Sequence, residues 1–264
     1  MRVADLDRDM SDVIPTGMGG DSRYLFERMT RLTLDWAEAG PGRRVLDVAS
    51  GPGADARSLV LRGARVVGVE ASSRMLGLAR LARPPGPGPA PGFVQAWADG
   101  LPFADASFDA ALCKGSLDHF DQPEQAIAEM ARVVRPGGRV VLAIANFESA
   151  ACRLARGIDR ARHACLAAPV HPGRRMYDVP SDHFTRYDLD LMREQAGRWL
   201  AIERLEGVSL GWGFPGWGRV LDGLPERLAR GAVQALGAWA RRLPGWADVV
   251  VLAGRPRRSP SSSR

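Results

Sequence analysis

The stretch from residue 44 to residue 54, Arg-Val-Leu-Asp-Val-Ala-Ser-Gly-Pro-Gly-Ala, decides the fold of this chain. Its first six residues, 44–49, predict a short buried strand, its two glycines predict a turn, and a helix begins at its end. A second apolar strand, 64–70, ends on Glu70, nineteen residues after Gly51. Strand, glycine turn, helix and acidic strand end, in this order, predict a nucleotide-binding crevice.

Strands and helices alternate along the first 145 residues. The apolar patterns predict further strands at 93–97, 108–113 and 138–145, and helices at 22–39, 54–62, 72–82 and 122–134. Repeated strand–helix units with apolar strands are typical of a parallel sheet covered by helices on both faces. We therefore predict an α/β fold with a Rossmann-like, doubly wound sheet.

The pattern changes after residue 146 and again near the C-terminus. We predict a leader and cap helix at 1–42, one domain at 43–254, and a disordered basic tail at 255–264. We predict a helix at 187–196 and a sixth strand at 200–205. Two helical insertions, 147–184 and 211–247, are expected after the fifth and sixth strands.

The composition bounds the class of protein. With 45% hydrophobic and 25% charged residues, the 264-residue chain can fill a sizeable core. Four of its six excess positive charges lie in the tail, so the basic balance does not indicate nucleic-acid binding. No apolar run is long enough to span a bilayer and no signal peptide is evident, which predicts a cytoplasmic location.

Five segments, taken together, resemble a known family. They are Leu46–Gly53 (LDVASGPG), Val69–Ser72 (VEAS), Ala98–Phe103 (ADGLPF), Ser107–Asp109 (SFD) and Arg135–Gly138 (RPGG). In this order they resemble the motifs of class I S-adenosylmethionine-dependent methyltransferases. They are most similar to the small-molecule branch, methyltransferase type 11, which includes ubiquinone and menaquinone biosynthesis enzymes. The resemblance covers 43–145 well and the segment from His183 more loosely. It implies S-adenosyl-L-methionine as cofactor and a last strand, 248–253, antiparallel beside the fifth.

The resemblance assigns cofactor contacts that side-chain chemistry supports. Asp47 would orient the ammonium group, Glu70 would accept both ribose hydroxyls, and Asp99 would accept from the adenine amine. The glycines would let the methionine part approach the backbone. The full predicted set is Asp47, Ala49, Gly51, Gly53, Glu70, Ala71, Asp99, Gly100 and, through its backbone, Lys114. The alternative for the three acids is structural: a turn cap for Asp47, a turn residue for Asp99 and a solvated strand end for Glu70.

One residue departs from the family pattern, and one other class fits part of it. Ala49 stands where the family usually has its first glycine. The spacing Gly51-x-Gly53-x-x-Ala56, with Glu70 downstream, also imitates the fingerprint of nicotinamide-dependent oxidoreductases. Asp47 before the glycines and the later Asp-Gly-Leu-Pro-Phe segment oppose that interpretation.

Fewer residues of the sequence indicate how the methyl acceptor is bound and activated. His119 follows the fourth strand and is the predicted general base, with Asp118 orienting it or acting in its place. The alternative is a helix-capping Asp118 beside a structural His119. His183 and Tyr187 are weaker candidates for lining the acceptor pocket. The three cysteines show no paired-ligand spacing, so we predict no metal site.

The apolar stripe within 225–243 is compatible with three different roles. Its members are Leu228, Ala232, Ala235, Leu236, Trp239 and Leu243. The stripe would dock on the fold, line an apolar pocket, or rest on a membrane surface. The residue types favour a small apolar or aromatic acceptor and no nucleic-acid partner, and they leave the oligomeric state open. The alternative function, from another class, is a noncatalytic regulatory or scaffold protein with this fold.

Overall fold

The computed structural model describes residues 19–82, 89–166, 175–179 and 183–257. The helices are α1 (Gly20–Trp36), α2 (Ala54–Leu61), α3 (Ser73–Leu81), α4 (Pro123–Val133), α5 (Ala150–Leu166), α6 (Leu189–Trp199), α7 (Trp217–Asp222) and α8 (Glu226–Arg242). The strands are β1 (Arg44–Val48), β2 (Arg65–Glu70), β3 (Gly92–Gln95), β4 (Phe108–Lys114), β5 (Val134–Ala145), β6 (Leu200–Val208) and β7 (Val249–Pro256). Short 3-10 turns cover Leu117–His119 and Pro244–Trp246.

The seven strands form one sheet in the order β3-β2-β1-β4-β5-β7-β6. The first five strands pair in parallel, and β7 pairs antiparallel with both β5 and β6. The predicted Rossmann-like sheet with an antiparallel last strand is therefore confirmed. The chain leaves β1 toward β2 on one side and reaches β4 on the other, so the crevice where ligands bind in such sheets lies at the carboxyl end of β1.

Two apolar layers sandwich the sheet. On one face, α4 and α6 pack Ile127, Met130 and Met192 against the strands. On the other face, α1 and α2 pack Leu25 and Leu59. This arrangement explains the continuous apolar strands, because both faces of the central strands are buried.

The fifth strand begins earlier than the sequence predicts. Val134 already pairs with Phe108, and the register shifts before Ala110 pairs with Arg139. The Pro-Gly-Gly segment at 136–138, whose composition predicts a tight turn before the strand, is thus an irregularity within β5. A Cβ atom on Gly138 would lie 2.6 Å from the backbone oxygen of Asp109, so glycine permits this close approach of the two strands.

The predicted disordered tail, 255–264, includes three residues, 255–257, that the structure shows to be ordered. Strand β7 continues to Pro256, and Arg255 Nε lies 2.8 Å from a carboxylate oxygen of Glu203. The Arg257 amide donates to the Trp199 carbonyl, and its side chain donates to the Leu200 carbonyl. Pairing with β6 therefore orders residues 255–257. Residues 258–264, the leader at 1–18 and the stretches 83–88, 167–174 and 180–182 lie outside the described residues.

Helix α8 docks through a different face from the one its apolar stripe suggests. Gly237 and Ala240 are buried, and Gly237 contacts the Tyr24 ring of α1. Leu228 is 61% exposed and Trp239 is 59% exposed, so the interpretation that the stripe docks on the fold is wrong for these side chains. None of the described helices is both long and apolar enough to span a membrane.

Candidate active site

A cavity of about 420 Å³ opens at the carboxyl ends of β1, β2 and β4. Its walls come from the β1–α2 turn, the end of β2, residues 96–99 after β3, residues 114–116 and 119–122 after β4, and two side chains of α1, Phe26 and Met29. This volume suits a nucleoside-sized ligand with some room to spare.

The two glycines of the β1–α2 turn have different roles. Gly51 lines the cavity, with φ at +50°, and a Cβ atom there would meet nothing within 4 Å. Gly53 has φ at +75° and lies outside the cavity lining, and its Cβ atom would come within 2.5 Å of Phe93 Cζ. Gly51 therefore leaves room for a ligand, whereas Gly53 leaves room for Phe93.

Ala49 takes the backbone conformation that its glycine-like position demands. Its φ is +56°, in the left-handed region that alanine rarely adopts, and it lines the cavity. The methyl group is accommodated, at an energetic cost to the backbone of about 1 kcal/mol.

Asp47 is a buried carboxylate at the end of β1 that faces the cavity. Burial raises the pKa of its carboxyl well above the usual value, the nearby Asp55 carboxylate raises this pKa further, and Lys114 acts in the opposite direction. Among the described residues, its Oδ2 atom has no hydrogen-bond partner. Such a group favours a cationic donor, because a buried acceptor without a partner is costly.

Glu70 is locked in place by the backbone. Its Oε2 atom accepts from the Gly51 amide and its Oε1 atom accepts from the Ser72 amide, each at 2.9 Å. Each carboxylate oxygen can accept a further hydrogen bond, and Glu70 lines the cavity. The carboxylate is therefore preorganised at the mouth of the turn.

The remaining residues of the predicted cofactor-binding set fall into two groups. Ala71, Asp99 and Lys114 line the cavity. Gly100 lies outside the lining, is exposed, and donates its amide to the Trp97 carbonyl. Its place in the fold is that of a turn residue after the lining segment.

Lys114 joins three elements around the cavity. Its Nζ atom lies 2.6 Å from an Asp55 oxygen of α2 and donates to the Thr30 hydroxyl of α1 at 2.8 Å. These contacts hold α1 over the cavity, where Phe26 and Met29 form part of the wall. Sequence reasoning missed Thr30 and Asp55, because neither lies in a segment that carried the resemblance.

The two predicted catalytic residues, Asp118 and His119, form a compact cluster with His183. Asp118 is buried, and its Oδ2 atom lies 3.0 Å from His183 Nε2. The rings of His119 and His183 are 4.0 Å apart between centroids. His119 lines the cavity, and the imidazole that Asp118 holds is that of His183 rather than His119, which differs from the predicted pairing.

Backbone hydrogen bonds bring the distant segment to this cluster. The amides of Phe184 and Thr185 both donate to the Asp118 carbonyl, at 2.7 and 3.2 Å. Tyr187 is fully buried beneath the segment and its hydroxyl donates to Gln195, so it does not line the cavity. The looser resemblance around His183 was the one signal in the sequence for this contact.

Comparison with known proteins identifies the class of fold and domain. The sequence profile of the methyltransferase domain matches residues 46–142. An uncharacterized methyltransferase of Mycobacterium sp. strain JLS is 31% identical over 199 residues, which cover 74% of this chain and 76% of that protein. A demethylmenaquinone methyltransferase of Renibacterium salmoninarum is 40% identical over 116 residues, or 44% of this chain. This chain spans about half, 47%, of the length of that relative.

A solved structure has the same architecture. The magnesium protoporphyrin IX methyltransferase of Synechocystis PCC 6803, with bound SAH, superposes with a TM-score of 0.60. The superposition covers 94% of this chain and 92% of that one, at 17% identity. At this identity the likeness concerns the fold alone.

Proposed function

Because this chain belongs to the class I S-adenosylmethionine-dependent methyltransferase family, we propose that it transfers a methyl group from S-adenosylmethionine to a small apolar or aromatic acceptor. The observation that carries the proposal is the buried Asp47 carboxylate, which faces the cavity beside the open Gly51 turn and the preorganised Glu70. The Asp47 carboxylate suits the ammonium group of that cofactor, and the Glu70 carboxylate suits its ribose hydroxyls.

The donor side fits the cofactor on the chemistry of its side chains. Asp47 would bind the ammonium group, since Oδ2 lacks a hydrogen-bond partner among the described residues. Glu70 would accept the ribose hydroxyls with its remaining lone pairs. Asp99 would accept from the adenine amine, and Ala71 and Met75 would pack beside the ring. The bound cofactor supplies an electrophilic methyl group on a sulfonium.

The acceptor side then has to align a nucleophile and handle its proton. We propose that His119 and Asp118 act on the acceptor, in the cluster that also contains His183. His119 is the imidazole that lines the cavity, and Asp118 fixes its neighbour His183. Alignment of the nucleophile supports transfer, and exclusion of water protects the sulfonium from side reactions.

The character of the acceptor follows from the wall and from the relatives. Phe26, Met29 and Phe120 supply apolar surface to the wall of the cavity that His119 also lines. Two of the relatives are named demethylmenaquinone methyltransferases, and demethylmenaquinone is a quinone with an apolar ring system. We propose an acceptor of that chemical class, with a hydroxyl or acidic ring carbon as nucleophile.

The direct test is calorimetric titration of the full chain with S-adenosylhomocysteine. We expect one saturable site, weakened about 10–100-fold by Glu70→Gln, which removes one charge-assisted acceptor while keeping the size of the side chain. Arg74→Gln, a change at a residue outside the cavity lining, is the matched control and should leave the affinity unchanged.

The outcomes separate the rival functions. No binding by the folded protein at millimolar S-adenosylhomocysteine would refute the proposal, and binding of a nicotinamide dinucleotide instead would favour an oxidoreductase. Turnover is then tested by mass spectrometry with S-adenosylmethionine and a panel of reduced quinones and naphthols. Cofactor binding without methylation of any member would favour the noncatalytic scaffold.

A further inference from the structure

We propose that Asp118, His119 and His183 form a binding site for one divalent transition-metal ion at the acceptor end of the cavity. One ligand atom from each of the three side chains lies within 4.8 Å of the other two. Two imidazoles and one carboxylate are a donor set suited to first-row ions such as Zn²⁺ and Fe²⁺ rather than to Mg²⁺ or Ca²⁺, which prefer oxygen ligands.

The carboxylate is the first observation that points to a cation. Asp118 has a side chain that is 4% exposed, and its Oδ1 atom is buried with no hydrogen-bond partner among the described residues. In the part of the chain that the structure describes, the ion-pair partner of this carboxylate is His183, and no lysine or arginine lies within ion-pair distance. A buried carboxylate in this position calls for a positive charge, and a metal ion would supply one.

The geometry of the three groups is the second observation. Metal–nitrogen and metal–oxygen bonds of about 2.0–2.2 Å in a tetrahedral site place neighbouring ligand atoms about 3.3 Å apart. Asp118 Oδ2 and His183 Nε2 are already 3.0 Å apart, and the centroids of the two imidazole rings are 4.0 Å apart with the ring planes tilted by 45°. Small rotations of the histidine side chains would bring the three donor atoms to the required spacing.

Hydrogen bonds between backbone groups join the two segments that carry the ligands, which favours a preformed site. The Asp118 carbonyl accepts the amides of Phe184 and Thr185, so the two ligand-bearing segments are held together by the backbone. The Phe147 ring lies edge-on to His183, at 6.1 Å between centroids, and packs against this imidazole. The open side faces the cavity through His119.

The position of the ion gives it a use in the proposed function, on which this part of the inference rests. An ion with three protein ligands keeps an open coordination position. A hydroxyl oxygen of the acceptor that occupied this position would lose its proton at a lower pH, as oxygen ligands of divalent ions do. The cluster would thereby orient the acceptor and make its oxygen more nucleophilic.

The experiment measures ion binding without cofactor or acceptor, so that it is independent of methyl transfer. The full chain is freed of metal by chelation and dialysis and then titrated with Co²⁺, followed by its visible ligand-field bands, and with Zn²⁺ by calorimetry. We expect one equivalent to bind, Zn²⁺ to displace Co²⁺, and Mg²⁺ to leave the spectrum unchanged. Asp118→Asn and His183→Gln should each weaken binding by at least about tenfold, because each removes a direct ligand and the loss of an outer-shell partner alone costs about 10–100-fold.

Two controls keep the result interpretable. His163→Gln, at an exposed histidine of α5, should retain wild-type binding. Thermal unfolding of each variant identifies any that do not fold, and His119→Gln then replaces that variant in the series. Absence of saturable Co²⁺ and Zn²⁺ binding by the folded wild type, or binding that all three ligand variants retain, would overturn the metal site and leave the S-adenosylhomocysteine result untouched.

Discussion

The two ends of the cavity are built in different ways. At the donor end, the β1–α2 turn and the end of β2 are joined by hydrogen bonds from backbone amides to the Glu70 carboxylate. At the acceptor end, a 3-10 turn at Leu117–His119 meets His183, which lies 64 residues after His119. Backbone hydrogen bonds hold both ends, but the donor end joins segments that are close in sequence, whereas the acceptor end joins two segments that are distant in sequence.

The largest expected effect concerns the acceptor end. His119→Ala should lower methyl transfer about 100-fold, because this histidine lines the cavity beside the proposed acceptor. The dissociation constant of S-adenosylhomocysteine should change little, since the donor end is intact. Steady-state turnover and calorimetry on the same preparation check both parts. A loss of cofactor affinity equal to the loss of turnover would show that the two ends are not separable.

The next effect concerns the donor end. Asp47→Asn should weaken S-adenosylhomocysteine binding about 10–100-fold, because it removes the charge that would bind the ammonium group. In the wild type, affinity should fall as the pH is lowered through the raised pKa of Asp47, since the protonated carboxyl cannot pair with an ammonium. The variant should lose this pH dependence, and calorimetry across the acidic range measures it.

The same substitution separates binding from stability. The folded-state pKa of Asp47 is above its unfolded value, so its contribution to stability is present below the unfolded pKa and is lost as the pH rises through the folded pKa. Asp47→Asn should therefore raise the melting temperature of the free protein at neutral pH while it weakens binding. A lower melting temperature would indicate that the carboxylate stabilises the fold instead.

A smaller effect distinguishes the two glycines of the turn. Gly53→Ala should destabilise the protein by about 1–3 kcal/mol, because the new methyl group meets Phe93. Gly51→Ala should cost less, about 1 kcal/mol for its positive φ, since its Cβ atom meets open space. Urea unfolding of both variants, with Phe93→Leu combined with Gly53→Ala as a partial rescue, tests the difference. Equal losses for the two variants would contradict it.

The smallest effect is a gain. Ala49→Gly should stabilise the protein by up to about 1 kcal/mol, because glycine adopts a φ of +56° without strain. Ala106→Gly is a matched control, since Ala106 has the same φ but is exposed and lies away from the cavity. Both should raise the urea midpoint by similar amounts, and a gain at Ala106 alone would show that the Ala49 methyl group makes compensating contacts.

Much of the fold could be read from local patterns. The apolar strands and their order predicted the doubly wound sheet, and the resemblance predicted the antiparallel last strand that β7 forms. The boundaries were less accurate where pairing between strands extends an element. The start of β5 at Val134 and the end of β7 at Pro256 depend on neighbouring strands and are not visible in the hydrophobic periodicity.

The faces of the later helices could not be read in the same way. The stripe on α8 suggested that its large apolar side chains would be buried. Instead, Gly237 and Ala240 are buried. Tyr24 of α1 approaches Gly237 too closely for a larger residue, and the backbone of Ala240 lies against Gly207 of β6. The apolar pattern of one helix does not indicate which other element packs against it or at what distance.

The same distinction holds within the cavity. Asp47, Gly51 and Glu70 meet because a strand, a turn and the next parallel strand end at one edge of the sheet, a relation that follows from residues close in sequence. The cluster of Asp118, His119 and His183 exists because the 183–185 backbone pairs with the Asp118 carbonyl. Residue spacing along the chain determines the contacts between neighbouring elements, whereas the approach of distant segments depends on the packing of the whole chain.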